Sequence, residues 1–192
     1  MKEEYLSSDL DHALKALQSG KIILYPTDTI WGIGCDATNG EAVKKIYHVK
    51  NREEKKSMIM LVPDQDMIEQ YVTGPSQKIL LYLSLAQKPT TAIFKNAFNL
   101  PREIINEDGS IAIRIARDKF CRELINQLHK PLVSTSANIS GEPSPQNFAD
   151  VSHKIKNGVD YIVQHRRDDL SKHAPSSIIK LGEDNEIEFI RK

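Results

Sequence analysis

A chain of 192 residues, 40 % hydrophobic and 27 % charged, can bury a core without disulfides or a metal. Its 26 Lys and Arg balance 26 Asp and Glu, which excludes a generally basic nucleic-acid binder but leaves room for a local basic patch. The two cysteines, Cys35 and Cys121, are far apart and outside any CxxC, so neither a disulfide framework nor a cysteine zinc site is indicated.

No apolar stretch reaches membrane-spanning length, and the N-terminus carries acids where a signal peptide has its apolar run. A cytoplasmic protein without a membrane partner, forming one domain over 1–192, is expected. Ser8 is placed to cap a first helix with Asp11 at the reciprocal position; Leu10, Ala13, Leu14 and Leu17 give it an apolar face and Gly20 ends it. KIILYP (21–26) reads as a buried strand stopped by Pro26, and residues 40–51 as a second helix. MIMLV (58–62) is a further strand, followed by helical stretches at 64–71 and 76–86. TTAIF (90–94) and SIAIRI (110–115) are strands joined by a loop containing Pro101 and Gly109. DKFCRELINQLH (118–129) is an amphipathic helix and PLVST (131–135) a strand. A Gly- and Pro-rich loop, a helix near 147–156, a strand at 160–164 and the pair SSIIKL and IEFIR complete the chain. Helices alternating with buried strands, some strands linked without a helix, give an α/β fold with a mixed sheet. The polar stretch 165–176 could form a loop over a site.

Familiar cofactor signatures are absent. There is no GxxxxGK[ST], the GIG at 32–34 lacks the rest of a dinucleotide fingerprint, and there is no HExxH or serine-hydrolase elbow. A nucleotide site would have to be built from backbone donors, hydroxyls and separate basic residues. Four segments supply such parts. In YPTDTIWGIGCDATN (25–39), Thr27 and Thr29 share a face and glycines allow close backbone approach; a solvated turn with Trp31 in the core accounts for it equally well. Lys44, Lys45, Lys50, Arg52, Lys55 and Lys56 form a local basic cluster with Glu53 and Glu54, suited to phosphate or to an RNA backbone, although cations also simply favour a helix C-terminus. In SIAIRIARD (110–118), Ile111, Ile113 and Ile115 share one face. Arg114 lies on the other, either as an outward edge residue or as a clamp for a carboxylate. PLVSTSANISGEPS (131–144) delivers many small donors just after a buried strand, with no base marking a nucleophilic serine.

Taken in order, YPTDTIWGIGCDATN, Lys50-x-Arg52 followed by KKS (55–57), PTTAIF (89–94), SIAIRI, STSANISGEPS (134–144) and PSSII (175–179) resemble the YrdC/Sua5 family of threonylcarbamoyl-adenylate synthases. The resemblance runs from about residue 8 to the end. Trp31 stands where tyrosine is usual, Glu53, Ser57 and Ala116 replace prolines, and Lys88 replaces a glycine; none removes a charge or hydroxyl.

The resemblance implies a twisted mixed parallel/antiparallel sheet flanked by helices, with a large concave cavity, in the short form without a C-terminal Sua5 domain. It implies formation of threonylcarbamoyl-AMP and pyrophosphate from L-threonine, bicarbonate or CO2, and ATP, with Mg2+ accompanying the nucleotide and no metal ligand from the protein. The product would pass to a tRNA threonylcarbamoyl transferase complex that modifies adenosine 37, and weak contact with tRNA or other double-stranded RNA is implied as well. Carried onto this sequence, Lys50 and Arg52 are the expected catalytic residues. Arg52, Lys56, Ser110, Ser134, Ser136, Asn138, Ser144 and Arg191 are expected on the ATP side, and Thr27, Thr29, Arg114 and Ser176 on the threonine side. The competing classes are a non-catalytic RNA-binding module and a carbamoyl-phosphate-handling enzyme.

Overall fold

The computed structural model describes residues 2–53 and 58–192, residues 2–6 by backbone only. The elements in chain order are α1 (Lys2–Gln18), β1 (Ile23–Tyr25), β2 (Gly32–Gly34), α2 (Gly40–Lys50), β3 (Ile59–Val62), α3 (Gln65–Glu69), α4 (Gln77–Leu85), β4 (Thr90–Phe94), β5 (Ile111–Ile115), α5 (Lys119–Leu128), β6 (Leu132–Ser136), α6 (His153–Gly158), β7 (Tyr161–Ile162), β8 (Ser177–Leu181) and β9 (Ile187–Arg191). The strands form one sheet in the order β7-β1-β2-β6-β3-β5-β4-β8-β9. β1 with β7, β3 with β5 and β4 with β8 are parallel. The other neighbours are antiparallel, so the sheet is mixed as expected.

Local chemistry explains most boundaries. Gly20 adopts φ +66°, and the Gly20 and Lys21 amides close back on Leu17 and Ala16 at 3.0 Å each, a left-handed cap that ends α1 where expected. Its start is not at Ser8, which lies inside the helix; a serine with helix-compatible neighbours on both sides need not cap. Asn39 and Asp118 cap α2 and α5 by accepting the Ala42 and Cys121 amides at 3.1 and 3.0 Å. The helix expected at 147–156 is half turn: Asn147 Oδ1 accepts the Ala149 and Asp150 amides, and α6 starts only after the Ser152 cap. That turn presses Phe148 onto Trp31, with ring centroids 4.8 Å apart.

One strand lies where sequence indicates only loop. Gly32 to Gly34 pair with β1 on one side and β6 on the other. Glycine is a poor strand former, but space requires it here. A Cβ at Gly34 would lie 2.6 Å from the Tyr25 ring and 2.5 Å from the Val133 carbonyl oxygen.

Register divides the sheet into two faces. On one, Val133, Met60, Ile113, Ala92 and Ile179 form a continuous buried row, covered by residues of α2, α3, α4 and α6. On the other, α1 and α5 cover Ile23, Tyr25, Leu61 and Leu132. Among the described residues no helix covers the rest of that second face around Ile59, Ala112 and Ile93, and this gap is the candidate site.

Candidate functional site

The gap is a cleft of about 340 Å³. Ile59, Ala112 and Ile93, directly paired across three strands, form an apolar floor together with Ile178, which sits diagonally from Ile93 on the fourth. Around it stand Thr29 to Gly32, Ser134 to Ser136, Ser144, Pro175 and Ser176, with the side chains of Arg52, Arg114 and Arg191. Gly32 keeps the floor low: a Cβ there would lie 3.3 Å from Ser134 Oγ.

The YPTDT loop is braced internally. Thr27 Oγ1 donates to the Ile30 carbonyl at 2.8 Å and accepts the Thr29 amide at 3.0 Å. Thr27 and Thr29 hydroxyls are 3.0 Å apart, and Thr29 Oγ1 also accepts Arg114 NH1 at 3.1 Å. Arg114 is 3 % exposed, because β5 is an interior strand between β3 and β4. This overturns the outward edge reading. Its NH2 lies 3.1 Å from Asp28 Oδ1, and its buried Nε has no hydrogen-bond partner among the described residues. Arg191 donates from Nε and NH2 to the Ser176 carbonyl at 2.9 and 2.7 Å, while Ser176 Oγ meets Thr91 Oγ1 at 2.8 Å.

The electrostatics favour an anion. Burial lowers the pKa of Arg52, and burial with the like charge of Arg114 lowers that of Arg191. Guanidiniums stay protonated under such shifts, so the cleft holds positive charge at an energetic cost that a bound anion would relieve. Hydroxyls beside them add neutral donors.

The family model for Sua5/YciO/YrdC proteins, described as telomere recombination, matches residues 15–192. The chain belongs to the Sua5/YciO/YrdC family. It is 36 % identical to a Methanocaldococcus jannaschii protein carrying the provisional name threonylcarbamoyl-AMP synthase, over all of this chain and 89 % of that one. It is 30 % identical to the threonylcarbamoyl-AMP synthase of Pseudoalteromonas translucida, over 81 % of this chain and 85 % of that protein. Among solved structures, P. abyssi Sua5 complexed with L-threonine superposes with a TM-score of 0.84 at 23 % identity, covering 95 % of this chain; this chain spans 53 % of that one. E. coli YciO gives 0.80 at 20 % identity, covering 95 % of this chain and 88 % of that one. At these identities the structural likeness speaks for the fold.

Of the residues expected from the Sua5/YciO/YrdC resemblance, Thr29, Arg52, Arg114, Ser134, Ser136, Ser144, Ser176 and Arg191 meet at the cleft. Four do not. Lys50 is 1 % exposed and its Nζ donates to the Ser136 and Asn138 carbonyls at 2.5 and 2.6 Å, so it braces the STSAN loop from behind. Asn138 spends its amide nitrogen on the Ile139 and Glu142 carbonyls, closing the same loop. Thr27 is the brace already described. Ser110 donates to Asp108 Oδ1 at 2.6 Å and lines a neighbouring hollow of about 690 Å³ that shares Ile93 with the cleft. Lys56 lies outside the described residues.

Lys44 pairs with Glu41 at 2.8 Å and Lys45 donates to the Gly20 carbonyl at 3.0 Å, leaving Arg52 as the described member that reaches the cleft. The apolar floor was missed altogether. Its signal was available in the alternation that places Ala112 beside Arg114 and Ile93 beside Ala112, but only once the strand order is known.

The 165–176 stretch is tied at both ends. Asp9 accepts the Gln164 and His165 amides, and Arg166 donates to the Thr27 carbonyl at 3.1 Å and to Asp118 at 3.0 Å. At the far end the Arg191 guanidinium holds Ser176.

Proposed function

We propose that this chain is an L-threonylcarbamoyladenylate synthase, forming threonylcarbamoyl-AMP and pyrophosphate from L-threonine, bicarbonate or CO2, and ATP. The observation that carries the proposal is the convergence of Arg52, Arg114 and Arg191 on one hydroxyl-rimmed, apolar-floored cleft. The names of the relatives and the L-threonine in the Sua5 complex support the same reading.

The reaction asks for placement more than for a covalent catalyst. The neutral threonine amine adds to CO2 and loses a proton, or adds to bicarbonate with loss of water, giving a carbamate. A carbamate oxygen then attacks the α-phosphorus in line, and the bond to the bridging oxygen breaks as pyrophosphate leaves. Arg114, held by Asp28 and Thr29, would orient the amino-acid carboxylate. Arg52 and Arg191 would hold phosphate charge, with Ser134, Ser136 and Ser144 as neutral donors and the isoleucine floor under the base or the threonine methyl. Aligning three anionic groups while neutralising them is the contribution expected of such a site.

The wall of guanidiniums and hydroxyls suits phosphate oxygens and, among the described residues, offers a cation no carboxylate, so Mg2+ would be held by the nucleotide and would neutralise phosphate charge there. Transfer of the product to a separate transferase complex, contact with tRNA and a cytoplasmic setting belong to the same proposal; among the described residues no helix is long and apolar enough to cross a membrane.

Pyrophosphate release with ATP and bicarbonate, measured with and without L-threonine and with the nucleotide product identified by mass spectrometry, tests the proposal. Strict dependence on L-threonine and a threonylcarbamoyl adenylate are expected. Threonine-independent turnover with carbamoyl phosphate, or tight tRNA binding without turnover, would replace this reading by one of its competitors.

A further inference from the structure

We propose that Asp28 is a positioning residue for the amino-acid substrate, acting through Arg114, and is not the base that deprotonates its amine. The inference rests on the function proposed above and concerns how the Arg114 guanidinium is held.

The Asp28 side chain is 9 % exposed. Its Oδ2 accepts the Arg117 amide at 3.2 Å, which anchors the carboxylate to the strand end beyond β5. Its Oδ1 faces Arg114 NH2 at 3.1 Å without an aligned hydrogen bond. Thr29 and Arg114 line the cleft, whereas Asp28 does not. A base must come within about 2.6–3.2 Å of the atom it deprotonates, directly or through one water, and a carboxylate behind the wall is poorly placed for that.

The same position suits an orienting role. Arg114 NH1 is hydrogen-bonded to Thr29 Oγ1 and NH2 is drawn toward Asp28 by charge, so the two terminal nitrogens are oriented together and the guanidinium plane is biased. Nε has no hydrogen-bond partner among the described residues although it is buried. A buried N–H left open beside a cleft is a place for an incoming acceptor. A carboxylate matches a guanidinium edge only when the plane is right, which gives that bias its value. Asp28 also offsets one of the three positive charges. With part of its charge offset, Arg114 suits a singly charged carboxylate better than a triphosphate.

Asp28→Asn keeps the shape and removes the charge. Steady-state pyrophosphate release, varying L-threonine and ATP separately, should show the threonine KM rising ~10-fold, with kcat and the ATP KM each within about threefold of the unchanged protein. In an Arg114→Lys background the same substitution should add less than about twofold, because its route of action is already broken. If Asp28→Asn fails to fold, Asp28→Ser, which also removes the charge facing Arg114, carries the test with the same expected split between the two KM values.

A kcat loss of ~10²-fold or more at unchanged threonine KM would make Asp28 the base and overturn the proposal. An unchanged threonine KM, an equal rise in both KM values, or an undiminished effect in the Arg114→Lys background would overturn it too. Should the unchanged protein release no threonine-dependent pyrophosphate, the functional reading fails separately. Calorimetric titration with L-threonine and with pyrophosphate then decides the positioning role: weaker threonine binding at unchanged pyrophosphate binding in Asp28→Asn supports it, and equal threonine binding overturns it.

Discussion

Arg114 lies in an interior strand with its guanidinium 3.1 Å from a carboxylate, and both facts shape what its replacement does. Arg114→Lys keeps charge but loses the planar fork, and the threonine requirement in the pyrophosphate assay should rise at least ~10-fold with little change for ATP. Stability is affected as well. Arg114→Ala leaves Asp28 buried without its counter-charge, which should cost about 3–5 kcal/mol in a urea titration. Arg52 reaches the same cleft from the end of α2, and Arg52→Ala should lower turnover at least ~10²-fold, since it removes a charge aimed at phosphate. Which side chains could meet an anion was readable where the chemistry is costly. An Arg among alternating isoleucines must be paired, and serines crowded behind a buried strand must find partners. What each hydroxyl or amide actually bonds was not readable, because Thr27 and Asn138 are consumed within their own loops and Asp28 finds Arg114 only through tertiary folding. Ser110 shows the limit of alternation. It shares a strand face with Arg114, but four residues at about 3.3 Å each carry it to the strand end.

Element by element, the buried apolar runs were visible and the glycine strand was not. β2 has no side chain at either end to announce it, and one of its two pairing partners, β6, comes from a distant part of the chain. Gly34→Ala should destabilise the protein by about 1–3 kcal/mol or more, judged from thermal and urea midpoints, because the added methyl meets the Tyr25 ring and the Val133 carbonyl. α2 carries a second consequence in its last residue. Burial, with the charge of Arg52 nearby, pushes the Lys50 ammonium down to about 7. A neutral amine still has two N–H donors for the Ser136 and Asn138 carbonyls. An unfolded chain holds that proton up to about 10.4. Between these values the unfolded state binds more protons, so this group's contribution to stability rises with pH. Compared with Lys50→Met, the unchanged protein should therefore gain urea resistance between pH 6.5 and pH 9, a difference in which the other titrating groups largely cancel. An equal response of the two proteins would show that Lys50 titrates normally.

At the scale of the molecule, one open stretch of the sheet gathers three guanidiniums in the folded state and disperses them on unfolding. Polyanions should therefore stabilise the fold by mass action. Pyrophosphate at a hundred times its Kd should add about 2.7 kcal/mol, or roughly 5–10 °C in thermal midpoint for a chain of this size. Half-molar sodium chloride should diminish the shift, and Arg52→Ala should remove most of it. The strand order has another consequence, in time instead of energy. β1 and β2 lie near the N-terminus, yet β2 pairs with β6 and β1 with β7, while Asp9 in α1 bonds Tyr161, 152 residues later. A ribosome adding about 5–20 residues per second holds these early strands without their neighbours for on the order of ten seconds. Until residues 132–136 emerge, Ile23, Leu24 and Ile33 have no sheet to complete, and the newborn N-terminal third is an apolar hairpin awaiting the other half of the message.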